Sequence, residues 1–121
     1  MNAVGGIIRV RANGQVIRAK GDFTYNLGLP MREAIVGADG VHGYREVPRV
    51  AYIEGATTDR GDLDLAALQQ LQGATIELEL ANGKTVVLSK AYFAGEGNAS
   101  TGEGEVAVRF EGERAEELAS A

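Results

Sequence analysis

The segment GADGVHGYREVP, residues 37–48, gathers the chain's only histidine, a tyrosine, two acids and an arginine between glycines. His42 could serve as a general base oriented by Asp39 or Glu46, because imidazole titrates near neutral pH. A nucleophile would have to be Ser89, Ser100, Thr101 or a tyrosine, and none of these lies in a strand–turn–helix elbow. A metal centre needs further imidazoles or thiolates, and the chain has one His and no Cys. Carboxylates alone could hold Ca²⁺ or Mg²⁺, but DRGDLD, residues 59–64, lacks the long loop and terminal bidentate Glu of such a site. A capped helix start explains it better. Gly37, Gly40 and Gly43 make no phosphate cradle, since no strand feeds them and no Gly-Lys-Ser/Thr follows. Neither cofactor nor metal is expected, and the pattern argues against an enzyme.

The same stretch reads better as a contact arm. Residues 28–48 fit neither strand nor helix periodicity and form a connection longer than compact domains usually tolerate. Pro30, Met31, Ile35, Val36, Val41 and Tyr44 are too many apolar groups for a solvated linker. Tyr44 offers an apolar ring with a polar tip, and Arg45 and Glu46 can pair across a contact, with His42 beside them. A long arm with apolar anchors belongs to a protein that completes itself by binding copies of itself.

The elements that would carry this arm come from composition and pattern. At 121 residues, 45% hydrophobic and 24% charged, the chain should form a single domain with one core. Seventeen glycines against two prolines imply many tight turns between short strands. Seventeen acids against twelve bases give a net charge of −5, which repels phosphate backbones and disfavours a conventional nucleic-acid binder. No apolar run approaches the ~20 residues that span a bilayer, and MNAVGGIIRVR lacks the apolar region of a signal peptide. Synthesis and folding in a cytoplasm are expected, without membrane insertion.

IELELANGKTVVLSK, residues 76–90, is a hairpin about Asn82-Gly83, a pair suited to positive φ. A two-residue turn sets Leu80 opposite Thr85, Glu79 opposite Val86 and Leu78 opposite Val87. Ile76, Leu78, Leu80 and Val87 then face the core, while Glu77 and Glu79 share the other face with Val86 and Leu88. That mixture implies a face partly covered by a neighbour. IIRVRANGQVIRAKG, residues 7–21, repeats the device with Asn13-Gly14. Ile8, Val10, Ile17 and Ala19 point one way; Arg9, Arg11 and Arg18 point the other, with Arg9 opposite Arg18 and Lys20 opposite Ile7. This basic strip is either a solvated face or one met by acids from another subunit.

Further strands are expected over 22–29, 49–57 and 105–113, the last with Val106, Val108 and Phe110 inward and Ala107, Arg109 and Glu111 outward, and 90–95 should continue the strand before it through a bend. Asp62 is a candidate N-cap for a helix carrying Leu63, Leu68 and Leu71 and stopped by Gly73. Residues 95–104 read as a flexible loop. The tail 113–121 favours helix, is too short to hold one alone, and should be frayed or ordered only by a partner. The sum is a mainly β (α+β) domain, an antiparallel sandwich or split barrel with one packed helix and one long arm.

The segments GADGVHGYREVPRVAYIEG, LANGKTVVLSKAYFAG and GEVAVRFEGERAEE, in this order, resemble the tail tube proteins of Mu-like contractile-tailed bacteriophages and prophages. The resemblance runs from about Val4 to Glu117. It implies a β-barrel-like domain of which six copies form a ring, with rings stacking into a hollow tube. It further implies a tape-measure protein inside, a contractile sheath outside, and baseplate and tail-terminator proteins at the ends. The subunit would be assembled in the bacterial host cytoplasm and reside in the virion tail, passing DNA without binding it specifically. Tubes of type VI secretion systems and phage-tail-like bacteriocins share that architecture. Register makes Glu77 and Glu79 candidates for a lumen, and Arg9, Arg11 and Arg18 candidates for inter-subunit pairing. Two readings from other classes stand beside it. One is a monomeric β-sandwich holding a ligand with loops 28–48 and 95–104, although four Tyr, three Phe and no Trp are few for such a site. The other is an enzyme using His42.

Overall fold

The computed structural model describes residues 6–61 and 63–119, without the Ile8 side chain. The placement of Ile8 in the core and the capping role of Asp62 lie outside the described residues. Among these residues, eleven strands and one helix follow in chain order. They are β1 (Ile7–Ala12), β2 (Gln15–Ile17), β3 (Thr24–Asn26), β4 (Met31–Gly37), β5 (Gly40–Val47), β6 (Ala51–Thr58), α1 (Leu65–Gln69), β7 (Ala74–Leu80), β8 (Lys84–Phe93), β9 (Ala99–Ser100), β10 (Glu105–Gly112) and β11 (Arg114–Ala119). The fold is mainly β, antiparallel, with one short helix.

The principal sheet runs β2-β1-β7-β8-β10-β6-β3. It closes on itself because the chain leaving β2 crosses to β6. Ala19 bridges Thr57, Lys20 N donates to Ala56 O at 2.8 Å, and Thr58 N donates to Arg18 O at 2.9 Å. Closure removes the edges that an open sheet would leave. It also corrects the expected opposition of Arg9 and Arg18: β2 ends at Ile17, so Arg9 pairs instead with Glu79 of β7. Lys20 follows the chain away from Ile7 and meets Glu105 at 3.7 Å. The β1–β2 turn keeps its expected form, with Asn13 and Gly14 at φ 50° and 84° and Val10 opposite Ile17.

The β7–β8 turn differs by one residue. Gly83 has φ 96° while Asn82 stays out of the positive-φ region, and Gly83 N donates to Leu80 O at 3.1 Å. Asn82 Oδ1 accepts Lys84 N at 3.1 Å. This is the three-residue connection built on a turn plus a left-handed glycine. The slip pairs Leu78 with Val86, Glu77 with Val87 and Glu79 with Thr85. A one-residue slip exchanges faces, so Val86 and Leu88 are fully buried and Val87 joins the acids. Burying both side chains stabilises by about 1.5–3 kcal/mol each, more than a tighter turn could return.

β8 passes between two parts of the barrel. It pairs with β11 over Lys84–Ser89 and with β10 at Tyr92 and Phe93. The expected bend lies at Lys90, whose φ of 51° is left-handed, and β10 passes into β11 beside it at Gly112 and Glu113, with Glu113 N donating to Ser89 O at 3.2 Å. Gly112 is required there, because a Cβ would stand 2.8 Å from both Leu88 Cδ1 and Ser89 O. Inside, Val10, Ile53, Ile76, Leu78, Leu88, Val106 and Phe110 form the core, and Phe93 meets Phe110 edge to face at 5.6 Å. The helix is shorter than its leucine spacing predicts. Asp64 caps it, its Oδ1 accepting Ala67 N at 3.1 Å, and Leu68 is its buried residue. Gly73, at φ 63°, turns the chain into β7 rather than ending the helix.

Two expectations about irregular segments are overturned. Residues 28–48 contain an ordered hairpin, β4–β5, and the helix-favouring tail is a strand, β11. Backbone pairing with β8 overrides the tail's local preference. Within 95–104, Ala99 and Ser100 pair with β10 as β9.

Candidate assembly surfaces

The β4–β5 hairpin is built from its own strand pairing. Met31 lies opposite Val47, Arg32 opposite Glu46, Glu33 opposite Arg45 and Ala34 opposite Tyr44. His42 is an extra residue between the Ile35–Gly43 and Val36–Val41 pairs, a bulge that increases local twist. Gly43 takes the φ of 136° that goes with it, and the His42 ring lies over Gly37, where a Cβ would make the ring shift. Arg45 donates to Glu33 Oε2 from Nε at 3.0 Å and from Nη2 at 2.9 Å. Arg32 lies over the Tyr44 ring at 5.0 Å. Arg45 therefore pairs within the arm, and Glu46 is exposed with no ion pair among the described residues.

The two strands pack on each other and on almost nothing else. Val36 and Val41 are each 70% exposed and Tyr44 57%, with Met31 and Ile35 also exposed; Pro30 leads into the arm. Elsewhere among the described residues only Val16, Tyr92 and Leu118 are large apolar side chains so open to solvent, apart from Leu29 and Val50 at the hairpin's base. A lone hairpin is marginal in water, and a concentrated apolar surface of this kind marks a contact site. Its base is fixed. Gly28, at φ 79°, runs against Ala51, whose backbone N would lie 2.8 Å from any Cβ, and Arg49 Nε donates to Leu29 O at 3.0 Å.

His42 and Asp39 meet at the hairpin tip, Nε2 to Oδ1 at 2.5 Å, both exposed. Glu46 lies at the other end of β5, so the three residues of the general-base reading do not converge. A cavity of about 650 Å³ between β2, β6 and α1 is lined by Ile17, Leu63, Leu68, Arg18 and Asp64 and does not include His42. Among the described residues, no group of three or more His, Cys, Asp or Glu side chains could hold a metal.

The second surface is the outer face of β1 and β7. Arg9 Nε lies 3.3 Å from Glu79 Oε2, while Arg11 reaches Glu79 Oε1 at 3.3 Å and Glu77 Oε2 at 4.0 Å. The arginines expected at a subunit contact and the acids expected in a lumen thus answer one another on one face. The sequence hid this because it does not state that β1 and β7 are neighbours. Arg18 is apart, exposed at the rim of the cavity.

A third cluster lay unread in the sequence. Arg109 donates from Nε to Glu111 Oε2 and from Nη1 to Glu54 Oε2, both at 2.8 Å, and lies 4.1 Å over the Tyr52 ring. Tyr92 OH donates to Glu111 Oε1 at 3.1 Å. The Arg109 hydrogen bond holds the Glu111 carboxyl below its ordinary value, and Glu111 in turn raises the Tyr92 phenol. Outward Arg109 and Glu111 were legible from alternation; Glu54 required the β6–β10 register.

Comparison with known proteins bears on these surfaces. The profile of a family described as phage tail tube protein matches residues 1–117. A Mu-like prophage FluMu tail tube protein of Haemophilus influenzae is 30% identical over 83 residues, covering 69% of this chain and 70% of the relative.

Proposed function

The chain belongs to the phage tail tube protein family, and we propose that six copies close into a ring and that rings stack into the hollow inner tube of a contractile tail. The β4–β5 hairpin is the arm that locks subunits together. One observation carries this reading: a hairpin that contributes almost nothing to its own barrel holds half of the exposed large apolar side chains among the described residues, with Leu29 and Val50 at its base. Head-to-tail contacts join two different patches, and such contacts either close a ring or extend a filament.

In this reading the β1–β7 face lines the channel. Glu77 and Glu79 are each answered by an arginine of β1. The wall then presents fixed ion pairs rather than free cations, which lets a genome slide through without adhering. The sheath surrounds the tube, the tape-measure protein occupies it during assembly, and baseplate and terminator proteins cap its ends. The arm's role is tested by replacing residues 31–47 with a short turn. The shortened protein should keep its circular dichroism spectrum and melting temperature and sediment as a monomer where the intact chain forms large particles. Assembly by the armless protein at the same concentration would refute that role.

A further inference from the structure

β11 has a sequence that opposes its conformation. Arg114, Ala115, Glu116, Glu117, Leu118 and Ala119 are good helix formers, and Glu and Ala are depleted from strands. The segment nevertheless pairs with β8 from Arg114–Ser89 to Ala119–Lys84. It buries little: Ala115 is the one buried residue, and Leu118 is half exposed. Its side-chain ties are at the rim, Tyr25 OH donating to Glu117 at 2.9 Å and Lys84 Nζ lying 3.5 Å from Glu117, and such exposed contacts hold weakly. Beneath it, Thr85, Val86, Val87 and Leu88 make the covered edge of β8 a strong strand.

The complementary feature is the arm. β4 and β5 form a separate two-stranded sheet, so each has an outer edge without a strand partner among the described residues. Their Ile35, Val36, Val41, Tyr44 and Val47 are the β-branched and aromatic residues that strands favour. A weak strand former covers a good edge, while a good strand former stands uncovered.

We propose that β11 is a removable cover. During assembly the hairpin edge of a second copy takes over Lys84–Ser89 of β8, and β11 lifts away. The exchange conserves strand pairing at β8, replaces a poor strand by a good one and buries the exposed apolar residues of the arm. Before contact with another copy, the cover blocks the edge and keeps subunits apart. This inference rests on the tube-subunit reading above, which supplies the second copy.

Amide hydrogen exchange on free subunits and on assembled particles tests it. In particles, residues 114–119 should lose protection, 31–47 should gain it, and 84–89 should stay protected. A second measurement uses the variant Glu116→Thr with Ala119→Val, which strengthens β11 as a strand. Its critical concentration for assembly should rise roughly fivefold, the scale of strand-propensity differences, with particles of unchanged appearance. Particles that retain full protection at 114–119, or an unchanged critical concentration in the variant, would overturn the exchange and leave the tube reading standing. Failure of the wild-type chain to assemble would overturn both.

Discussion

Arg109 shows how a single side chain can organise a surface. Its guanidinium joins Glu54 of β6 to Glu111 of its own strand and covers Tyr52, so its loss leaves two carboxylates facing each other. Arg109→Met should cost about 1 kcal/mol near neutral pH by urea denaturation, the upper range for a partly exposed pair. Glu111 is held below its ordinary value, so its contribution is present above the unfolded carboxylate range and is lost as pH falls through the folded value. The gap between wild type and variant should therefore narrow on acidification; an undiminished gap in acid would contradict this role. Gly112→Ala is a steric case. Its new Cβ would press on Ser89 O, which is backbone and cannot rotate away. A loss of about 1–3 kcal/mol is expected, read as a lower urea midpoint. An unshifted midpoint would show that the corner between β10 and β11 is free to open.

Elements differ in how much they depend on the rest of the chain. The β4–β5 hairpin is bound to the barrel at its base alone, so Tyr44→Ala should leave thermal stability within the small range of surface changes while weakening assembly. A large fall in melting temperature would place Tyr44 in the barrel's own packing. What was legible in the sequence follows the same division. Alternation exposed Val106, Val108 and Phe110 as core, and Asn13-Gly14 announced its turn correctly, because both signals are local. The arm was recognised as apolar and ordered but not as two strands, since the bulge at His42 breaks its alternation and Gly43 interrupts β5. At β7–β8 the Asn-Gly signal was right about a turn and wrong about its length. The core decided the register, through Val86 and Leu88. The tail was misread for the opposite reason: its residues favour helix, and only the edge of β8 makes them a strand. Contacts between distant segments, such as Arg9 with Glu79 or Arg109 with Glu54, were invisible until the strand order was known.

At the scale of the whole molecule, a barrel closed through Ala19 and Thr57 leaves its own sheet largely satisfied. Half of the exposed large apolar side chains among the described residues stand on one hairpin, and charged groups near the barrel wall, such as Arg9, Arg11 and Arg109, are paired within the chain. A subunit so arranged folds alone and gains further burial only by meeting others. Because the contact is dominated by apolar burial, assembly should persist when salt is raised from low to physiological strength; dissolution by moderate salt would point to ion pairs as the main bond. Negative-stain electron microscopy of the purified protein at rising concentration tests the central claim most directly. Rings or tubes with a stain-filled central hole are the result expected here. Monomers alone at the highest attainable concentration would contradict it.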